Sequence, residues 1–242
     1  MGRLNRERNR MVAVGYAICF ALSASLLAYA YIVGAGRLAF LVFVFLLTLP
    51  LPRLVAAIFR RQLPPALEIG SLIFVFSAGV LGEIVNLYYA VPIWDSLLHL
   101  WSGFLLTIFA LSLIEGEKWQ KAIFAICFAI SVGVLWELFE WGADVLIGTD
   151  MQKDTILTHI TSTFLGNGQK SSLPIIRETV IDGTPLPFEG YLDIGLYDTM
   201  SDLAFDTLGA ISLTLFWLWD TAHRNLIARF LLPAPTRHHS IF

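Results

Sequence analysis

Three acids stand in the stretch LWELFEWGADVLIG, residues 135–148. Glu137, Glu140 and Asp144 fall within eight residues, after a run, Ala122–Leu135, that carries no charge. At ~100° per residue they lie within about 60° of one another around a helix. Further along, Asp198, Asp202 and Asp206 recur at i, i+4 and i+8 and spread over about 80°. Upstream, Asp95 and His99 are one helical turn apart. A single acid at bilayer depth costs roughly 2.5 kcal/mol or more. Counting Glu83, eight carboxylates gather here, and no Lys or Arg is expected inside these segments to pair with them. Either some are protonated, since like charges at close range cannot all ionise, or one or more cations sit among them. Carboxylates with one histidine suit Mg, Mn, Ca or Zn better than a soft metal. Glu137, Glu140, Asp144, Asp198, Asp202 and Asp206 are therefore the candidate metal ligands. His99, with Asp95 one turn above it, is the candidate general acid–base.

Plainer roles exist for single residues. Asp95 and Asp198 sit where helix N-caps belong, each before a hydroxyl residue. Glu83 and Asn86 read equally well as interfacial, His99 as a buried hydrogen-bonding histidine, and His159 as solvated. His238 and His239 end a polar tail. Trp94, Trp101, Trp136 and Trp141 are interface anchors or walls of the site. Cys19 and Cys127 fall in separate apolar runs and read as small buried residues.

The elements that must hold these residues are membrane spans. The chain is 57% hydrophobic and 14% charged, with a mean hydropathy of +0.71, where soluble domains are about a quarter charged. The net charge of −3 and the lack of a basic face argue against nucleic acid as a partner. Six apolar runs approach the ~20 residues a bilayer needs, at about 11–33, 37–58, 66–90, 95–114, 120–147 and 198–220. Pro50 and Pro52 should end or kink the second. The first run is too long for a typical signal-peptide core. Twelve of the sixteen basic residues lie on one side: Arg3, Arg6, Arg8, Arg10, Arg53, Arg60, Arg61, Lys118, Lys121, Arg224, Arg229 and Arg237. That asymmetry predicts both termini in the cytoplasm. The expected fold is an all-α polytopic membrane protein, a single membrane domain over 1–242. It carries an extracytoplasmic insertion at 148–197 and a cytoplasmic tail at 221–242. Within the insertion, LPIIRETVIDGTPLPF predicts a β-hairpin turning at Asp182-Gly183. Every ionisable residue of spans three to six is expected in the outer half of the membrane, with no polar continuation below.

One internal echo links two of the acidic helices: WDSLLHL at 94–100 aligns with YDTMSDL at 197–203, as a parallel repeat would. Together WDSLLH, WELFEWGAD and YDTMSDLAFDTLGA resemble the YjdF-like family of bacterial inner-membrane proteins, whose function is undefined. More remotely they are similar to VanZ-like proteins, which are linked to glycopeptide resistance. The resemblance covers about residues 66–220. It implies a place in the cell envelope and carries over Asp95, His99, Glu137, Glu140, Asp144, Asp198, Asp202 and Asp206. The outer segment before Asp198 is longer than the family pattern, a lid or docking surface in that reading. Three functions stay open: a metal-dependent hydrolase or transferase acting on membrane lipid or lipid-linked headgroups, a cation or proton transporter or sensor, and a structural subunit whose acids pair with other membrane protein subunits.

Overall fold

An apolar segment in a bilayer must satisfy its own backbone, so long apolar runs become helices. The computed structural model describes residues 2–232 and 234–235, and of residues 2–8, 37, 234 and 235 the backbone alone. Arg237, His238 and His239 thus lie outside the described residues. The helices are α1 (Gly2–Val33), α2 (Gly36–Thr48), α3 (Leu51–Ile58), α4 (Pro65–Phe76), α5 (Leu87–Ala90), α6 (Trp94–Leu113), α7 (Lys118–Ile147), α8 (Leu196–His223) and α9 (Leu226–Phe230). Among the described residues five segments are long and apolar enough to cross a membrane: Asn9–Val33, Leu38–Ile58, Pro65–Ile84, Trp94–Leu113 and Lys118–Ile147. The second joins α2 and α3 across a break at Leu49–Pro50, where the prolines predict one. The third is not a plain α-helix to residue 90. Beyond Phe76 it widens into a π-helix over Ser77–Ile84, then stops at Asn86, which is left-handed at φ 69°. The sixth expected run, α8, has ample length at 28 residues. Asp198, Asp202, Asp206 and Asp220 lower its hydropathy.

The chain divides into two compact units. The first comprises Met1–Gly133 with Ala204–Phe242, and the second Val134–Leu203. In the first, α1 packs on α2 and α4 around Cys19, Phe45, Leu49, Leu72 and Val80. A second cluster joins Ala110, Leu111, Ala122, Ala125, Trp217 and Ile227 from α6, α7, α8 and α9. Without a hydrophobic drive between helices in lipid, such contacts stabilise through close packing and interhelical hydrogen bonds. Asp220 closes the far end of α8, its two carboxylate oxygens accepting the backbone N–H groups of Leu226 and Ile227 at 2.9 and 2.8 Å. Cys127, expected to be buried, is exposed on α7, while Cys19 is buried. Residue 127 falls between the buried positions Ala125 and Ala129, off the packed stripe.

The second unit holds the ends of α7 and α8 and the segment between them. That segment builds three antiparallel pairs: Thr155–Leu157 with Tyr191–Asp193, Ile160–Ser162 with Ser171–Leu173, and Val180–Ile181 with Thr184–Pro185. The last is the hairpin expected at Asp182-Gly183. Both turn residues have positive φ, 50° and 76°, the geometry a two-residue type I′ turn needs and Asp-Gly supplies.

Candidate metal centre

Helix α7 explains how acids come to stand in an apolar run. Its buried positions are Ala122, Ala125, Ala129, Gly133, Glu137, Glu140 and Ala143, a stripe at three- and four-residue spacing. Every member but the two glutamates is small, so the stripe admits close neighbours, and the acids continue it rather than facing outward. Glu137 and Glu140 are 4% and 8% exposed. On α8 the buried stripe runs Asp202, Asp206, Gly209, Ala210, Thr214, Trp217 and Asp220.

Within the first unit, α6 and α8 meet backbone to backbone. A Cβ added at Gly103 would run into the Asp206 carbonyl oxygen, and one at Gly209 into that of Leu100. Small residues allow this approach. It brings three predicted residues together. His99 Nδ1 lies 3.3 Å from Asp206 Oδ2, and His99 Nε2 lies 3.7 Å from Asp95 Oδ1. The Ser102 hydroxyl reaches Asp206 Oδ1 and the carbonyl oxygen of His99. From α7, Gly133 makes the notch in which the Asp206 carboxylate rests: a Cβ there would stand 2.6 Å from Oδ2. The imidazole thus sits between two carboxylates, and Asp206 is 2% exposed.

The two sides of the ring differ chemically. At Nδ1 the separation is that of a long hydrogen bond to a buried carboxylate; with the proton on Nδ1 that bond orients the ring plane, and Nε2 is the nitrogen a cation would take. At Nε2 the 3.7 Å gap exceeds a hydrogen bond. Two donor atoms about 2.1 Å from one tetrahedral ion stand about 3.4 Å apart. Asp95 and His99 thus offer ligand atoms within 4.8 Å of each other, at a spacing that a shared cation fits. The donor set, imidazole nitrogen with carboxylate oxygen, suits Zn, Mn or Mg.

Other predicted residues do different work. Asp144 is engaged by the segment that follows its helix. Its Oδ1 accepts from the Thr149 hydroxyl and the Met151 N–H, both at 2.7 Å, and its Oδ2 from the Gln152 N–H at 2.8 Å. Asp198 Oδ2 accepts from the Lys153 N–H at 2.7 Å. The N-cap expectations are corrected. Helix α6 begins at Trp94 with Ile93 in the cap position, so Asp95 lies inside the first turn. At the start of α8 it is Asp193 that accepts the Tyr197 N–H, at 2.7 Å, while Asp198 binds Lys153. Gln152 adds a hydrogen bond from its amide to the Thr199 hydroxyl. Glu83 is exposed on the π-helix and Asn86 shapes its end. His159 is exposed.

Sequence reasoning missed several participants. Ser102, Gly103, Gly133 and Gly209 build the centre, and the small pairs Ser102-Gly103 and Gly209-Ala210 were its visible sign. The expectation that the ionisable residues of spans three to six all stand toward one end of the membrane is corrected by Glu68, which lies at the opposite end of the third span from Glu83. Glu68, in the first turn of α4 and 7% exposed, is paired with Arg53 of α3, whose guanidinium also covers the Tyr16 ring at 4.4 Å. Arg53 lies within the second span rather than in the connection after it.

A family model described as a predicted membrane protein, DUF2238, matches residues 14–223, well beyond the stretch carrying the sequence motifs. An uncharacterised protein of Thermotoga maritima is 25% identical over 102 residues, 40% of this chain and 53% of the relative. The chain thus spans about half the length of that curated relative. No solved structure matches. These comparisons lend no support to the remoter VanZ-like likeness.

Proposed function

The chain belongs to the DUF2238 family of predicted membrane proteins, the YjdF-like family, and from that premise we propose that it binds a divalent cation through His99 Nε2 and Asp95. Asp206 holds the imidazole, and Ser102 and Gly133 hold Asp206. Asp202, one turn before Asp206 on the same continuous helix and 1% exposed, is the next carboxylate on that stripe. The observation that carries the reading is the asymmetry of His99: anchored at Nδ1 by a buried carboxylate, spaced for a shared ion at Nε2. A bound divalent ion supplies an activated water and positive charge for a phosphoryl oxygen. The chain's own residues orient the ring and hold a proton-accepting carboxylate beside it. We assign the centre to a hydrolase or transferase working on a lipid or lipid-linked headgroup. In the same reading the protein belongs to a bacterial inner membrane, with α8 as the sixth span, both termini cytoplasmic and residues 148–197 outside.

Elemental analysis of the purified protein tests the cation directly. Wild type should retain about one divalent ion per chain, and Asp95→Asn and His99→Gln should lose it. Chelation should lower the melting temperature at neutral pH through mass action and leave the two variants unmoved. Carboxylate–imidazole–carboxylate order also suits a proton relay. In that case no metal is found, and chelation changes nothing across pH 5 to 8.

A further inference from the structure

Below the metal centre the same two helices carry a second polar station that the centre does not use. Thr107 on α6 and Thr214 on α8 are 0% and 2% exposed. Neither hydroxyl has a hydrogen-bond partner among the described residues. This is unusual for threonine in a helix, whose hydroxyl ordinarily turns back to the carbonyl three or four residues earlier. Ser71, Ser112, Ser131 and Thr221 of this chain all do so. A buried hydroxyl with no partner costs about 1–3 kcal/mol, so two of them on facing helices call for a common explanation.

Their heights agree. Gly103 touches α8 between Asp206 and Ala210. Four residues on from Gly103 is Thr107, and four on from Ala210 is Thr214. Both therefore stand one turn past the same backbone contact, on helices whose buried stripes face each other there. At ~1.5 Å per residue their levels differ by no more than a few ångströms. The neighbouring positions on the buried stripes are Ala110, Ala125, Ala129 and Ala210, all 0% exposed. Alanine at all four positions puts no large apolar side chain against the two hydroxyls, and a single water is all that the station has to admit. Farther along, Leu111 and Trp217 close the column in the second apolar cluster.

We infer that Thr107 and Thr214 together hold an internal water between α6 and α8, a hydration site separate from the metal centre and blind at its inner end. A buried water makes about three hydrogen bonds to otherwise unsatisfied groups. Two hydroxyls, each able to donate and accept, supply two of them, and a helix carbonyl such a water can reach supplies another. The polar column of α6 and α8 then extends past the acids but stops at Leu111 and Trp217. That arrangement serves a site that exchanges with one side only, not a conduit through the membrane.

Valine is nearly isosteric with threonine, which makes the test a matter of sign and coupling. Thr107→Val, Thr214→Val and the double variant are purified in nanodiscs with chelator present, so the result does not depend on any metal. With a shared water, each single change strips it of a partner and lowers the melting temperature by about 2–4 °C. The double change then lowers it by clearly less than the sum, because both lose the same water. Unpartnered hydroxyls with nothing bound give the reverse, since valine relieves them and raises the melting temperature in each single variant. Strictly additive losses, as from two unrelated packing defects, also overturn the inference. Should a valine variant fail to fold, Thr107→Ser and Thr214→Ser decide. Serine keeps the hydroxyl and should restore a folded protein if the water is what matters, whereas failure of serine as well counts against it.

Discussion

At the scale of single residues, the groups that hold the His99 ring in place make the sharpest difference. Gly133 has no side chain because Asp206 occupies that space. Gly133→Ala should push the carboxylate away from the imidazole and weaken cation affinity by about 10–100-fold, the range seen when a partner that orients a ligating histidine is lost. Manganese titration followed by electron paramagnetic resonance reads this directly, and unchanged affinity would remove Asp206 from the centre. None of this was legible in the spacing of the acids. Periodicity shows which residues share a face, and Asp206 and His99 were both named from it. Which oxygen meets which nitrogen depends on how near two backbones come, and that is set at Gly103 and Gly209, residues without chemistry of their own. Asp144 shows the opposite failure. Its spacing matches the buried glutamates, yet its place in the last turn of α7 offers three nearby donors from the chain that follows, and it takes them.

Between the helices, the segment that leaves α7 is fastened by carboxylates at both ends of its course. Asp144 gathers Thr149, Met151 and Gln152, and Asp198 gathers Lys153. Asp144→Ala should cost about 1–3 kcal/mol of local stability by leaving those N–H groups without their acceptor. Cleavage within 149–153 under limited proteolysis should rise accordingly while bound metal stays constant; a loss of metal would return Asp144 to the ligand set. Asp154 adds a pH dependence. Partial desolvation raises its carboxyl above the usual value, with help from the carboxylates of Asp150, Asp144 and Asp193. For a raised folded value, the stabilising contribution is complete below the unfolded carboxyl value and is lost as pH climbs through the folded one. The segment should therefore resist a pH-tolerant protease better near pH 4 than near pH 7. Asp154→Asn should flatten that difference, and a variant with the wild-type profile would exclude Asp154 as its source. The hairpin at Asp182-Gly183 was readable in advance because a type I′ turn demands positive φ at two positions. Of the other two pairs, Thr155–Leu157 with Tyr191–Asp193 joins strands remote in sequence, and Ile160–Ser162 with Ser171–Leu173 closes over a longer connection built on a 3-10 turn at Phe164–Gly166 rather than on a two-residue turn.

For the molecule as a whole, class followed from composition, because apolar runs of bilayer length have few alternatives; of the six expected spans, five among the described residues have the length and hydropathy to cross a membrane. The failures came where a run was treated as uniform. Pro65–Ile84 is part π-helix, and the acids of spans three to six are not confined to one half. Orientation rests on the division of basic residues. A cysteine placed at Ser171 or Thr184 should react with an impermeant reagent in intact cells, and reaction only after the cells are opened would invert the protein and move the proposed cation site to the cytoplasmic side. The pairing of Arg53 with Glu68 also constrains how the protein is made. Neither charge enters lipid cheaply alone, at roughly 2.5–3.5 kcal/mol each in an isolated segment. The two are only fifteen residues apart, on consecutive helices. The second and third spans thus have reason to leave the insertion machinery together, as a hairpin already neutralised, and Tyr16 of the first helix, made before them, then covers the Arg53 guanidinium.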